Sequence, residues 1–100
     1  MNTKNEVLAQ NNKIITIKDK QILLDFINSD AEVLSLDIDF NFLMEVVEKI
    51  EGLNYFIQID SIGVVISKEK KIITVSDNRS KIENVYNACL EFIKWYNEQK

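Results

Sequence analysis

Residues 81–100, KIENVYNACLEFIKWYNEQK, decide how the rest of the chain must be built. Within this stretch Ile82, Val85, Tyr86, Cys89, Phe92, Ile93 and Tyr96 recur at three- and four-residue intervals. A helix turns about 100° per residue, so this spacing predicts one broad apolar side on a long helix. Ser80, with Glu83 three residues later, predicts a capping box that fixes where the helix begins. A stripe of that width needs a surface to cover.

The surface is predicted immediately upstream, as three short β runs at residues 55–60, 62–67 and 72–76. Tyr55, Ile57 and Ile59 share one face by alternation, Val64 and Ile66 continue it, and Ile73 and Val75 complete it. Ser61 or the Ile62-Gly63 pair must turn or bulge the first junction, and Lys68-Glu69-Lys70-Lys71 reads as a polar hairpin tip. An antiparallel meander with one apolar face requires a cover, which the last helix carries.

Further upstream, Leu43, Val46, Val47 and Ile50 form the inward stripe of another helix, opened by Asn41 or Asp39. Gly52 is expected to supply its left-handed end. Residues 32–39 alternate, with Leu34, Leu36 and Ile38 on one side, and predict a half-buried strand that could extend the meander. Asp19 can cap a helix running to about Asn28, with Ile22, Leu23, Phe26 and Ile27 on its apolar face. Residues 13–18 fit a short strand, or a longer helix capped by Asn11-Asn12. Residues 1–12 are polar and without period, which predicts a flexible N-terminus. The expected architecture is α+β: one domain over residues 13–100, a three- to four-stranded antiparallel meander with helices on one face.

One hundred residues, 46% of them apolar, suffice for one core and not for two. The single cysteine excludes an internal disulfide and, lying on the apolar stripe, reads as a buried hydrophobe in a reducing compartment. No apolar run approaches the roughly 20 residues that span a bilayer, and the polar start MNTKNEVLAQNNK lacks a secretion signal. A cytoplasmic location is expected.

The net charge of −4 is unevenly distributed. Residues 21–60 carry nine acids against Lys49 alone, a local charge of −8, and the remainder of the chain is +4. Such a segment disfavours contact with nucleic acid and favours a protein or ribonucleoprotein with a basic surface. Solvated helix and strand faces are the plainer reading of the same pattern. The residues that would form a partner-binding acidic face are Asp37, Asp39, Glu45, Glu48 and Glu51. Trp95 lies about 120° from the centre of the last helix's stripe, where it either anchors a partner or widens the buried band. Phe40 and Phe42 straddle a helix start, one as a staple and the other exposed.

Catalytic chemistry finds little to work with. The chain has no histidine, which removes Ser-His-Asp and Cys-His arrangements and most zinc sites. Two glycines, Gly52 and Gly63, cannot make a phosphate-cradling loop or a dinucleotide fingerprint. Asp37 and Asp39, two apart on the predicted strand, could share a Mg²⁺, although an acidic strand end or helix cap explains them as well. Asp60 with Glu69, Lys70 and Lys71 resembles the spaced Asp and Glu-x-Lys of one nuclease superfamily, but a charge run at a hairpin tip is ordinary turn chemistry. No catalytic residue, cofactor or metal is expected, and a metal-dependent nuclease is the least favoured function.

Two segments also carry a resemblance. FLMEVVEKI at 42–50 and the closing KIENVYNACLEFIKWYNEQK resemble the hallmark segments of a family of small proteins of Bacteroidetes and their phages and mobile elements. In that family the first segment typically reads WNWLMPVVEKIE and the last is nearly as here. The likeness covers residues 40–51 and 81–100 well, the meander in pattern only, and the first third hardly at all. Phe40 and Phe42 replace tryptophans, and Glu45 stands where proline is usual, its charge meeting the helix dipole instead. The resemblance brings no activity or catalytic residue with it. Its phage setting implies a protein that binds and disables host defence machinery in the host cytoplasm. An anti-CRISPR-like inhibitor is then expected, with a Cas13-type RNA-guided effector and its positively charged guide channel as a fitting target. A self-associating adaptor, with Trp95 closing a homodimer, is the alternative.

Overall fold

The computed structural model describes residues 15–99. The expected flexible segment 1–12, with Lys13 and Ile14, lies outside them. The element order is α1 (Ile17–Phe26), a 3₁₀ turn (Val33–Ser35), α2 (Phe40–Gly52), β1 (Phe56–Ile59), β2 (Gly63–Lys68), β3 (Lys71–Asp77) and α3 (Lys81–Glu98). The fold is α+β: the strands form an antiparallel sheet in the order β1-β2-β3, α3 packs on β2 and β3, α2 meets β1, and α1 packs on α3.

The helix predicted from residues 81–100 forms as α3, and its capping box is present. Ser80 Oγ accepts from the Glu83 N–H and Glu83 Oε1 accepts from the Ser80 N–H, both at 3.3 Å. Ile82, Val85, Tyr86, Cys89, Phe92 and Ile93 are buried, while Tyr96 is only half-buried. Asn84, Ala88 and Leu90 are buried as well. The band is wider than the stripe because α3 touches the sheet and is also contacted by α1 and α2. Each large aliphatic or aromatic side chain buried this way contributes about 1.5–3 kcal/mol.

β1 and β2 pair with Ile57 opposite Ile66 and Ile59 opposite Val64, so the covered face of these strands is the expected one. β3 departs from expectation. Ile66 pairs with Thr74 but Ser67 with Ile72, which leaves Ile73 as an extra, bulged residue. The bulge shifts the alternation: Ile73 itself packs on the core, and after it Ser76 rather than Val75 is buried. Val75, expected on the covered face, pairs with Val65 and is 53% exposed.

Ser76 then meets the one fully buried polar side chain among the described residues. Its hydroxyl donates to Asn84 Oδ1 at 3.1 Å, and Asn84 Nδ2 donates to the Arg79 carbonyl at 3.2 Å. A polar bond inside an apolar layer is satisfied in one register only, so this pair keys α3 to β3. Gly63 lets the strands come this close. A Cβ there would stand 2.6 Å from the Ser76 carbonyl oxygen and 2.9 Å from Asp77 Cβ. At the other end of β2, Glu69 (φ 51°) and Lys70 (φ 70°) form a two-residue turn of the mirror-image type that suits hairpin twist.

The helix ends use asparagine. Asn54, not Gly52, adopts the left-handed conformation after α2 (φ 73°), with Asn54 N–H bonded to the Glu51 carbonyl and Tyr55 N–H to that of Ile50. Asn28 (φ 57°) closes α1 likewise, with Asn28 N–H on Asp25 and Ser29 N–H on Leu24. Both are Schellman closures, for which asparagine tolerates the positive φ. Gly52 stays inside the helix.

Three sequence expectations upstream are corrected. Residues 32–39 form no strand: Leu34 is 68% exposed, and only Ile38 of the alternating set is fully buried. The backbone is extended at Glu32 and Leu36, but the Leu36 carbonyl accepts from Lys20 Nζ at 2.9 Å instead of from a neighbouring strand. Alternation marks half-buried extended chain, which a strap between helices shares with a strand. The strand reading of residues 13–18 also fails for its described part, since Ile17 and Lys18 open α1. Thr16 caps that helix, with its hydroxyl accepting from the N–H of Asp19, the residue expected to be the cap.

The Ser76–Asn84 pairing is testable. Asn84→Ala lowers the free energy of unfolding by about 1–3 kcal/mol, because the hydroxyl of Ser76 loses its buried acceptor. In denaturant titrations, Ser76→Ala then costs little further in the Asn84→Ala background, and equal costs in both backgrounds would contradict the pairing.

Candidate interaction surfaces

The acidic surface is built by α2. Asp39 caps this helix, its Oδ1 accepting from the Phe42 N–H at 2.9 Å, so this carboxylate is half-buried and committed to the helix start. Phe40 and Phe42 are both half-buried and packed on the core, where one was expected to be exposed. Leu43, Val46, Val47 and Ile50 turn inward as predicted, which forces the intervening glutamates out. Glu45, Glu48 and Glu51 are exposed and step about 60° round the helix from one to the next, spreading over about 120°. Asp37 is exposed in the strap leading into the helix. Among the described residues, ion pairs join Lys94 to Asp19 (3.9 Å) and Glu91 (4.0 Å), and none of these α2 carboxylates takes part.

Trp95 stands apart from that surface. It is half-buried in a cluster of rings, 5.8 Å from Phe92 and 6.2 Å from Tyr55 between centroids. Tyr55 in turn lies 4.7 Å from Phe92 and carries the Lys68 ammonium 4.7 Å above its ring. The indole therefore widens the buried band at one edge of the fold.

The sequence reading missed a second surface, the uncovered face of the sheet. Phe56 (62% exposed), Ile72 (61%) and Val75 (53%) lie on it, with Ile62 (77%) at the β1–β2 turn. Ser67 joins Phe56 and Ile72 in register, and Val65 joins Gln58 and Val75. A signal was present in the adjacent apolar pairs Phe56-Ile57, Val64-Val65 and Ile72-Ile73, which put hydrophobes on both faces.

The residues suggested for metal chemistry are not brought together. Asp60 and Glu69 sit at opposite ends of the six-residue β2, about 20 Å apart by strand rise. Asp37 and Asp39 share no strand face, since one lies in the strap and the other caps α2. No three acidic or cysteine side chains cluster as a metal would require among the described residues. Asp60 Oδ1 instead accepts from the N–H groups of Ile62 (2.9 Å) and Gly63 (3.0 Å). These backbone donors, Gly63 foremost, hold its carboxyl below the usual value.

Two other ionisable groups are perturbed by burial. Cys89 is 1% exposed, and burial pushes its thiol up to about 12, so it stays a protonated, inert hydrophobe at neutral pH. Tyr86 is raised by burial and then by the negative charge of Asp19. Asp19 links α1 to α3 through its ion pair with Lys94.

Compared with protein-family models, curated proteins and solved structures, the chain matches none. No helix among the described residues is long and apolar enough to cross a membrane.

The Asp60 turn predicts a pH effect of definite sign. A carboxyl held below its ordinary value contributes stability above that value and loses it as the pH falls through the lowered one. Asp60→Asn keeps the acceptor oxygen and removes the ionisation, so the acid limb of a stability–pH curve flattens. An unchanged acid limb would contradict this role for Asp60.

Proposed function

We propose that this protein is a non-enzymatic binding protein whose acidic α2 face docks on a basic surface of a protein or ribonucleoprotein partner. The observation that supports this most is the outward set of Glu45, Glu48 and Glu51, with Asp37 in the strap before the helix, all exposed and without counter-ions among the described residues. Unpaired like charges on one helix repel one another and are relieved by a cationic partner, which also gains in association rate. The likeness in residues 40–51 and 81–100 to proteins of phages and mobile elements suggests the partner class: a host defence nucleoprotein, such as a Cas13-type RNA-guided effector, held inactive in the host cytoplasm. Asp39 and Trp95 support the face by holding the helix start and the core edge rather than by touching the partner.

Reversing Glu45, Glu48 and Glu51 to lysine tests the proposal. The fold is retained, because these side chains are exposed. Binding to the basic effector and inhibition of its nuclease are expected to fall together, with a steep salt dependence in the unaltered protein. Undiminished inhibition by the triple variant would end the acidic-face reading.

A second reading, self-association, is favoured by the uncovered sheet face and not by Trp95. Phe56, Ile72 and Val75 form a ready contact between copies, yet by strand spacing and rise the outer face of three strands of 4, 6 and 7 residues spans about 300 Å², short of the roughly 800 Å² per partner of a stable interface. Sedimentation is therefore expected to show monomer at micromolar concentration. A dimer abolished by Phe56→Ser with Ile72→Ser would instead favour the adaptor role.

A further inference from the structure

We propose that the free edge of β3 takes an extended segment of the partner as a fourth strand, its side chains alternately apolar and uncharged polar. The inference rests on the reading above that the chain acts by binding, and it places a second contact at the opposite edge of the sheet from α2, which meets β1. The Asp60 N–H bonds to the Gly63 carbonyl at 3.0 Å, so Gly63 directs its backbone groups towards β1. Alternation then turns Val64 and Ile66 towards β3, where they pair with Ser76 and Thr74. Val75 and Asp77 are left with their N–H and C=O groups aimed away from β2, and among the described residues no strand pairs on that side. A row of unpaired backbone donors and acceptors is complementary to another extended backbone.

Bulges, lysine and proline are the devices that blunt such edges. In β3 they stand at one end, where Lys71 opens the strand and Ile73 is bulged. Residues 74–77, TVSD, carry neither lysine nor proline and stay in register with β2. A groove of ≈ 330 Å³ lies beside this half, lined by Val75, Ser76, Asp77, Arg79, Asn87 and Glu91. Its other wall is α3: the Ser76–Asn84 bond holds helix to strand, and Asn87 and Glu91, three and seven residues after Asn84, continue that stripe.

The lining also states what the occupant carries. Asp77 and Arg79 are of opposite sign, and Glu91 has Lys94 at 4.0 Å, so the groove selects by backbone rather than by charge. Uncharged polar side chains suit its Asn87 side, while Ile72 and Val75, both exposed on the other face, offer apolar neighbours to the alternate residues. A second copy is the poorer occupant, because an outer face of about 300 Å² is too small for a stable dimer whereas one added strand needs the edge alone.

The test is an NMR titration of the full chain with an acetylated, amidated hexapeptide of alternating valine and threonine. Saturable shifts and slowed hydrogen exchange are expected at the amides of Val75 and Asp77, with little dependence on salt. Two further peptides carry N-methyl groups on the valines or on the threonines. One of them is expected to bind at least roughly tenfold more weakly and the other as before, because a single row of peptide amides faces β3. Val75→Pro removes a donor that the β2 ladder does not use, and is expected to weaken the unmethylated peptide while the amides of β2 keep their protection. No saturable shift at Val75 and Asp77, or equal binding by the two methylated peptides, would overturn the proposal. So would protection of these two amides without peptide, which would mean that a second copy, or chain outside the described residues, already fills the edge. The titration needs no partner and leaves α2 untouched, so its failure is separable from that of the acidic face, which charge reversal at Glu45, Glu48 and Glu51 reads alone.

Discussion

The contact between α3 and the sheet is the constraint from which the rest of this structure follows. One strand face bearing Ile57, Val64 and Ile66 and one helix bearing Val85, Cys89, Phe92 and Ile93 have no alternative burial partner of comparable size. Their meeting gives a slab of 38 × 30 × 20 Å in which the helices of the described residues lie on one side. Apolar contact alone would allow the helix to slide. The Ser76–Asn84 bond and the capping box at Ser80 fix its register, and the Asp19–Lys94 ion pair joins α1 to it.

Much of this was legible in the sequence, and the limits have physical reasons. Long periodic segments declared themselves: the stripes of α2 and α3, the capping box, and the hairpin tip at Glu69-Lys70 all form where spacing placed them. Residues 32–39 misled because an extended strap tied down by Lys20 alternates in burial chemistry as a strand does. Val75 misled because a single bulged residue, Ile73, reverses parity, and nothing in local composition marks where a bulge falls. Gly52 lost the left-handed position to Asn54, since the helix runs to its hydrophobic limit at Ile50 and closes after it.

The surfaces follow from the same layering. Packing Leu43, Val46, Val47 and Ile50 inward makes an acidic exterior on α2 unavoidable, whereas a sheet covered on one side leaves Phe56, Ile72 and Val75 bare. The first surface was readable as charge in the sequence; the second was signalled there only by adjacent apolar pairs, and the register of β3 places it. Asp60 and Glu69, which looked like the rudiments of a metal site, are a turn and a hairpin tip at opposite ends of one strand.

Native-state hydrogen exchange tests the central contact most directly. The amides of residues 85–93 in α3 and 64–66 in β2 are predicted to be the slowest in the molecule and to exchange with one common opening free energy, since neither element is buried without the other. Opening of α3 at a markedly lower free energy than β2, with the sheet still protected, would contradict the dependence of this fold on its last helix.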